Sequence, residues 1–462
     1  MAAITVPDVR PAPVDADVPR PHWIDDWRPE DPTFWSEGGE RIARRNLIFS
    51  IFSEHIGFSI WSLWSVFVLF LGPQYGLDAS QKFLLTTMPT AVGSAMRLPY
   101  TFAVAKVGGR NWTVISAALL LLPTIAALFV LHPGVSFTTL LVVASIAGVG
   151  GGNFSSSMAN IDAFYPQRLK GWALGLNAGG GNLGVAAVQL VGLAVLATAG
   201  KDHPRVLLAI YIPLILLAAF GALRYMDNLT HATNEKRAMR DVLRSSHTWV
   251  ISFLYIGTFG TFIGFGFAFG QVLQVQFKDT FDTPIKAAYL TFLGPLLGSL
   301  IRPVGGRLAD RFSGSAVTFA TFAAMAAGAS VVLYASSIAS LPLFIAGFVA
   351  LFVLSGIGNG STYKMIPAIF TAKAARNVAA DPDADLEREA RGARRLSRAL
   401  IGIAGSIGAF GGVLVNLAFR QSFLDTKSGD RAYLAFIVFY LVCLAVTWVV
   451  YRRHREGRLE GV

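Results

Sequence analysis

The stretch TAVGSAMRLPYTFAV (residues 90–104) sets Arg97 in the middle of an apolar run, and GPLLGSLIRPVGG (residues 294–306) does the same with Arg302. Both arginines close the same local frame, G-S-x-x-R. A charged side chain at the centre of a membrane helix costs about 3 kcal/mol on insertion scales and faces the bundle interior when it occurs. A chain that accepts this cost twice, in matching surroundings, reads as a duplicated bundle.

Composition identifies the solvent. Of the 462 residues 53% are hydrophobic and only 15% are charged, where a soluble domain carries about 25% charged residues. A spanning helix needs about 20 mostly apolar residues. Twelve such stretches begin near Asn46, Lys82, Trp112, Phe137, Lys170, Arg205, Thr248, Ile285, Ser315, Leu341, Leu396 and Ala432. The short alternating segments of a membrane β-barrel are absent. The net charge of +11 comes largely from the runs RIARR, EKRAMRDVLR, REARGARRLSR and YRRHREGR, which all fall on one side of a twelve-span chain. That asymmetry is the positive-inside bias of cytoplasmic loops rather than a nucleic-acid surface. The single cysteine, Cys443, excludes an intrachain disulfide, and the seven histidines lack metal-ligand spacing. No metal and no cofactor are expected, and no nucleophile–base constellation points to an enzyme.

The repeat extends beyond the arginines. GGGNFSSSM (150–158) faces GIGNGSTYK (356–364) at nearly the offset that relates Arg97 to Arg302. LGLNAGGGNLGVAAVQL (174–190) faces IGIAGSIGAFGGVLVNL (401–417), pairing Gly175 with Gly402, Gly181 with Gly408 and Gly184 with Gly411. The larger offset of this last pair is absorbed by the charged insertion NVAADPDADLEREARGARR before it. The expected fold is an all-α integral membrane protein of twelve transmembrane helices in two six-helix halves, residues 46–226 and 248–452. A cytoplasmic linker, 227–247, joins them, and cytosolic tails occupy 1–45 and 453–462. The first tail holds no apolar segment, so removal of residues 1–35 is expected to leave the protein's activity largely intact. Two halves in parallel repeat, with a site near the midplane between them, resemble the major facilitator superfamily. The segment GGRLADRFSG (305–314) resembles its cytoplasmic loop motif, and GGRNW (108–112) is a degenerate copy.

Arg97 and Arg302 are related by the repeat and are expected to face each other across the central cavity. Carboxylates to pair them are scarce, Glu54 and Asp162 being the few in or near the helices. Without a fixed acid, the counter-ion is the substrate. The planar, permanently charged guanidinium suits a small planar oxyanion such as nitrate or nitrite. Asn177 and Asn182, on one glycine-rich helix, must bond a neighbouring helix or face the cavity.

At these residues the chain resembles the nitrate/nitrite porter (NarK-type) family. The resemblance runs from ARRNLIFSIFSEHIGFSIWSLWSVF (43–67) through the last apolar stretch, with its most specific match at GLNAGGGNLG (175–184) and a looser second signature at GIAGSIGAFGG (402–412). It implies that Arg97 and Arg302 clasp the anion, that Asn182 and Tyr255 add hydrogen bonds, and that Phe154 and Phe259 sandwich it. The implied partners are nitrate and nitrite, in a monomeric, multi-pass protein of the inner cell membrane. Two unopposed positive charges should hinder reorientation of the empty carrier, which favours nitrate/nitrite exchange. Proton symport remains the alternative, with Glu54, His55 or Lys364 as the coupling group, and so does transport of another small organic anion. Lys364 also reads as a lysine reaching for the cytoplasmic surface.

Overall fold

The computed structural model describes residues 21–230, 236–381, 385–453, 459 and 462. The first twenty residues of the expected tail, residues 231–235 of the linker, residues 382–384 and most of the 453–462 tail lie outside the described residues. Among the described residues the regular structure is helical apart from one parallel strand pair, β1 (Trp23–Ile24) with β2 (Asn228–Leu229). The helices of the first part are α1 (Pro32–Phe70), α2 (Ala79–Val107), α3 (Gly109–Val130), α4 (Phe137–Phe164), α5 (Gln167–Thr198) and α6 (Arg205–Tyr225). A short helix, α7 (Lys236–Leu243), lies in the linker. There follow α8 (Ser246–Gln276), α9 (Pro284–Phe312), α10 (Gly314–Ser337), α11 (Leu341–Ala380), α12 (Leu386–Thr426) and α13 (Asp430–Arg452).

Among the described residues eleven helices are long and apolar enough to cross a membrane. The remaining long helix, α2, has 29 residues but carries Lys82, Arg97 and Lys106 besides several Ser and Thr. The polarity of the bundle is that of a protein dissolved in lipid. Phe129, Leu122 and Phe220 are exposed, while Asn46, Asn153, Asn177, Asn182, Gln189 and Asn416 are buried. In a hydrocarbon solvent the polar groups must find their partners inside.

Local sequence explains where helices start and bend. Asp78 accepts from the Gln81 backbone N–H and the Gln81 side chain returns the bond, a capping box that starts α2. Asp31 caps α1, with Pro32 at its first position. Residues 32–45, expected in the tail, therefore form the first turns of α1. Residues 23–31 are packed onto the body through β1. Two long helices are interrupted inside the bundle, α4 by a 3₁₀ segment at Gly148–Gly152 and α8 by a π segment at Ile256–Gly260. Such interruptions are frequent at functional sites because they re-aim the side chains that follow.

The repeat-related glycines set helix spacing. A Cβ on Gly184 of α5 would meet the His55 carbonyl of α1 at 2.2 Å. A Cβ on Gly411 of α12 would meet Gly260 Cα of α8 at 2.8 Å. The α8–α12 pair thus touches backbone to backbone, as small residues allow in membrane bundles. Gly260→Val should overpack this contact at a cost of about 1–3 kcal/mol, lowering the melting temperature of the detergent-solubilised protein. An unchanged melting temperature would contradict the contact.

Candidate functional site

Arg97 is placed by a chain of close contacts. Gly93, one turn earlier on α2, leaves room for the indole of Trp61 and the Gly148 carbonyl. Trp61 Nε1 donates to the Pro89 carbonyl at 2.7 Å, an approach that the missing side chain of Gly93 permits. Arg97 is fully buried, and its Nη1 donates to the Gly405 carbonyl of α12 at 2.9 Å. Its Nε and Nη2 have no partner. The guanidinium carbon lies 4.5 Å from the Phe154 ring centre and 4.9 Å from that of Phe259.

Arg302 repeats the arrangement from α9. Gly298, one turn earlier, lies against Phe262 and the Phe352 carbonyl. Arg302 Nη2 donates to the Tyr255 hydroxyl at 3.0 Å, and Nη1 has no partner. Its guanidinium carbon is 6.0 Å from the Phe259 ring and 5.6 Å from Tyr363. Both arginines therefore flank one phenylalanine, and no carboxylate of the described residues lies within 4 Å of either.

The aromatic residues come from the two helix interruptions. Phe154 follows the 3₁₀ segment of α4, and Phe259 sits within the π segment of α8. Their ring centres are 6.1 Å apart with the planes at 30°. Tyr255 stacks on Phe259 at 5.2 Å. A planar anion held between two rings needs about 3.5 Å on each face, so this gap must widen by roughly 1 Å to admit one. Asn182 is buried, and neither end of its amide has a partner. Orphaned guanidinium N–H groups and an orphaned amide, each costing about 1–3 kcal/mol when left unsatisfied, are what a small oxyanion would satisfy.

The other candidates divide. Glu54 is fully buried; its Oε2 accepts from the Ser157 hydroxyl and from Asn177 Nδ2, and Oε1 is unpartnered. It makes no ion pair with either arginine, yet it lies within electrostatic reach of both. His55 Nδ1 is 3.1 Å from the Gly180 carbonyl of α5. Lys364 pairs with Asp310 at 2.8 Å with its side chain 43% exposed. Asp162 is engaged by Arg398 at 2.6 Å and Lys170 at 3.2 Å.

Sequence reading did not single out Trp61, Ser157, Gly405 or Tyr363. The repeat relates two of the residues that sequence did single out, Glu54 and Tyr255. Gly181 meets Glu54 and its counterpart Gly408 meets Tyr255, so these side chains hold equivalent places opposite paired glycines. Tyr363 adjoins Lys364, and the more conspicuous cation drew attention from the ring.

The fold and the paired buried cations define a multi-pass helical transporter. Residues 47–382 match the Major Facilitator Superfamily. The chain is 36% identical to the nitrate/nitrite transporter NarU of Escherichia coli K12 over 93% of its own length and 96% of that protein's. It is 32% identical to the probable nitrate/nitrite antiporter NarK2 of Thermus thermophilus, over 93% and 97%. Among solved structures, the nucleoside transporter NupG superposes with a TM-score of 0.61 at 10% identity, covering 87% of this chain and 99% of that one. An inward-facing bacterial homologue of the lysosomal transporter Spinster does so at 0.60 and 16%, covering 88% and 96%. The chain belongs to the Major Facilitator Superfamily and, within it, to the NarK-type nitrate/nitrite porters.

Asn177→Ala should strip one donor from the buried Glu54 carboxyl, at a cost of about 1–3 kcal/mol. A lower melting temperature in detergent is the expected reading, and no change would mean that the bond contributes nothing.

Proposed function

We propose that the protein carries nitrate and nitrite across the cell membrane by alternating access, the anion clasped by Arg97 and Arg302. The observation that carries this reading is the pair of buried guanidiniums with orphaned N–H groups, both within 6.0 Å of the Phe259 ring centre. Asn182 adds an amide bond, the Tyr255 hydroxyl completes the donor set, and Phe154 and Phe259 cover the faces of the planar anion. The names of NarU and NarK2 point to the same substrates. In this reading α2 is the twelfth span. The halves are 46–226 and 248–452, the termini are cytoplasmic, and the carrier works as a monomer in the inner membrane.

Exchange of nitrate for nitrite is the favoured coupling. Two like charges in a desolvated site repel when it is empty, and reorientation passes through the closed state, so a bound anion speeds it. Nitrate/proton symport is the second reading, favoured by the buried Glu54 within reach of both arginines. One experiment separates the two: labelled-nitrate uptake into proteoliposomes that are nitrite-loaded or empty, with and without an inward proton gradient. Exchange predicts uptake only into loaded vesicles, regardless of the gradient. Gradient-driven uptake into empty vesicles would overturn exchange and favour Glu54. No nitrate uptake under any condition would overturn the substrate.

Arg97→Lys and Arg302→Lys keep the charge but lose the planar fork. A lost hydrogen bond to a charged group costs about 1.5–3 kcal/mol, so nitrate affinity should fall at least roughly tenfold in a binding titration. Near-normal affinity would refute the clasp.

A further inference from the structure

A second structural feature sits between the anion site and the basic face of the bundle. A cavity of about 340 Å³ begins at Phe154 and Ser155, beside the guanidinium of Arg97. It runs between α2, α4, α5 and α12, past Met158, Asp162, Lys170 and Arg398. Its far wall is made by none of these helices. It is made by Ile24, Asp25, Trp27, Pro29 and Glu30, which precede α1.

That segment is docked by several kinds of contact. β1 pairs with β2, placing Ile24 beside Leu229, and Thr230 donates to Asp25 at 2.6 Å. His22 lies 3.5 Å from Asp227. The Trp27 ring meets Phe164 edge-on at 5.3 Å. Glu30 accepts from the backbone N–H of Gln167 at 2.8 Å, supplying the acceptor that the first turn of α5 lacks. Trp35, at the start of α1, stacks obliquely on Tyr165 at 5.7 Å. The segment thus spans from the chain following α6 to the junction of α4 and α5. Next to it, Arg398 of α12 bridges to Asp162 of α4.

We infer that residues 22–31 are a cytoplasmic strap that closes the inner end of the anion pathway, with Trp27 and Glu30 as its positioning residues, and that the strap must release for the anion to pass. This deepens the transport reading above and rests on the orientation proposed there. It also replaces the expectation that residues 1–35 are dispensable. A passive tail has no reason to carry three tryptophans, Trp23, Trp27 and Trp35, within thirteen residues.

The test uses the full chain with Cys443→Ser and a reporter, Met158→Cys, in the cavity wall. A membrane-impermeant thiol reagent is applied to inside-out vesicles, and labelling is timed. Labelling of a transiently opened site tracks the population of the open form. Trp27→Ala and Glu30→Ala, separately or together, should speed labelling about tenfold, the effect of a shift of roughly 1.4 kcal/mol. A second measurement leaves these contacts in place: Ile24→Cys with Leu229→Cys, in the Cys443→Ser chain, cross-links β1 to β2. The cross-linked form should lose most transport and recover it on reduction. Unchanged labelling in properly inserted strap variants, or full transport with the cross-link formed, would overturn the strap. Because labelling needs no substrate, its result stands apart from whether nitrate is the cargo. Labelling right-side-out vesicles checks the orientation.

Discussion

Everything in this bundle is arranged around two guanidiniums held out of water without a fixed counter-ion. The effective penalty for burying one ion is several kcal/mol even after relaxation. Arg97 recovers part of it through the Gly405 carbonyl and the faces of Phe154 and Phe259, and Arg302 through the Tyr255 hydroxyl. What is left over appears as unpartnered N–H groups on both guanidiniums. In the proposed function such a site would remain incomplete until an anion arrives, and that incompleteness would provide both affinity and a reason for the empty carrier to resist closing. A fixed carboxylate in ion-pair contact would have removed both.

The glycines and helix interruptions follow from the same requirement. Each arginine stands one turn beyond a glycine that lets a large aromatic lie against the helix, Trp61 at Gly93 and Phe262 at Gly298. Gly405 offers Arg97 its carbonyl, and a Cβ there would lie in ordinary contact, 3.6 Å, with both Arg97 Nη1 and Phe154. The 3₁₀ and π segments place Phe154 and Phe259 within ring contact, their centres 6.1 Å apart. Close backbone packing at Gly260 and Gly411 lets the same helices slide over one another.

Much of this was legible in the sequence, and for identifiable reasons. The arginines stood out because a charge in an apolar run is costly, and the repeat stood out because three glycine patterns recur in order. Charge asymmetry carries the proposed orientation. The distinction between Glu54 and Lys364 was not legible, since both are single charges in apolar surroundings. Only packing separates them: Glu54 is enclosed by Ser157 and Asn177, while Lys364 reaches Asp310 near the surface. The docked segment at 23–31 was hidden for a different reason. Its composition, WIDDWRPED, is that of a polar tail, and its order comes from contacts more than a hundred residues away in sequence, at Gln167 and Asn228.

The most direct measurement is the melting temperature of the purified protein titrated with nitrate, against chloride and sulfate at matched ionic strength. A ligand that binds only the folded protein stabilises it, by about 2.7 kcal/mol at one hundred times its dissociation constant. If a planar anion supplies the missing counter-charge, nitrate and nitrite should raise the melting temperature in a saturable way. The spherical and tetrahedral anions should do so far less, and Arg97→Lys should abolish the difference. Equal shifts with all three anions, or none with nitrate, would mean that the two arginines do not form the site.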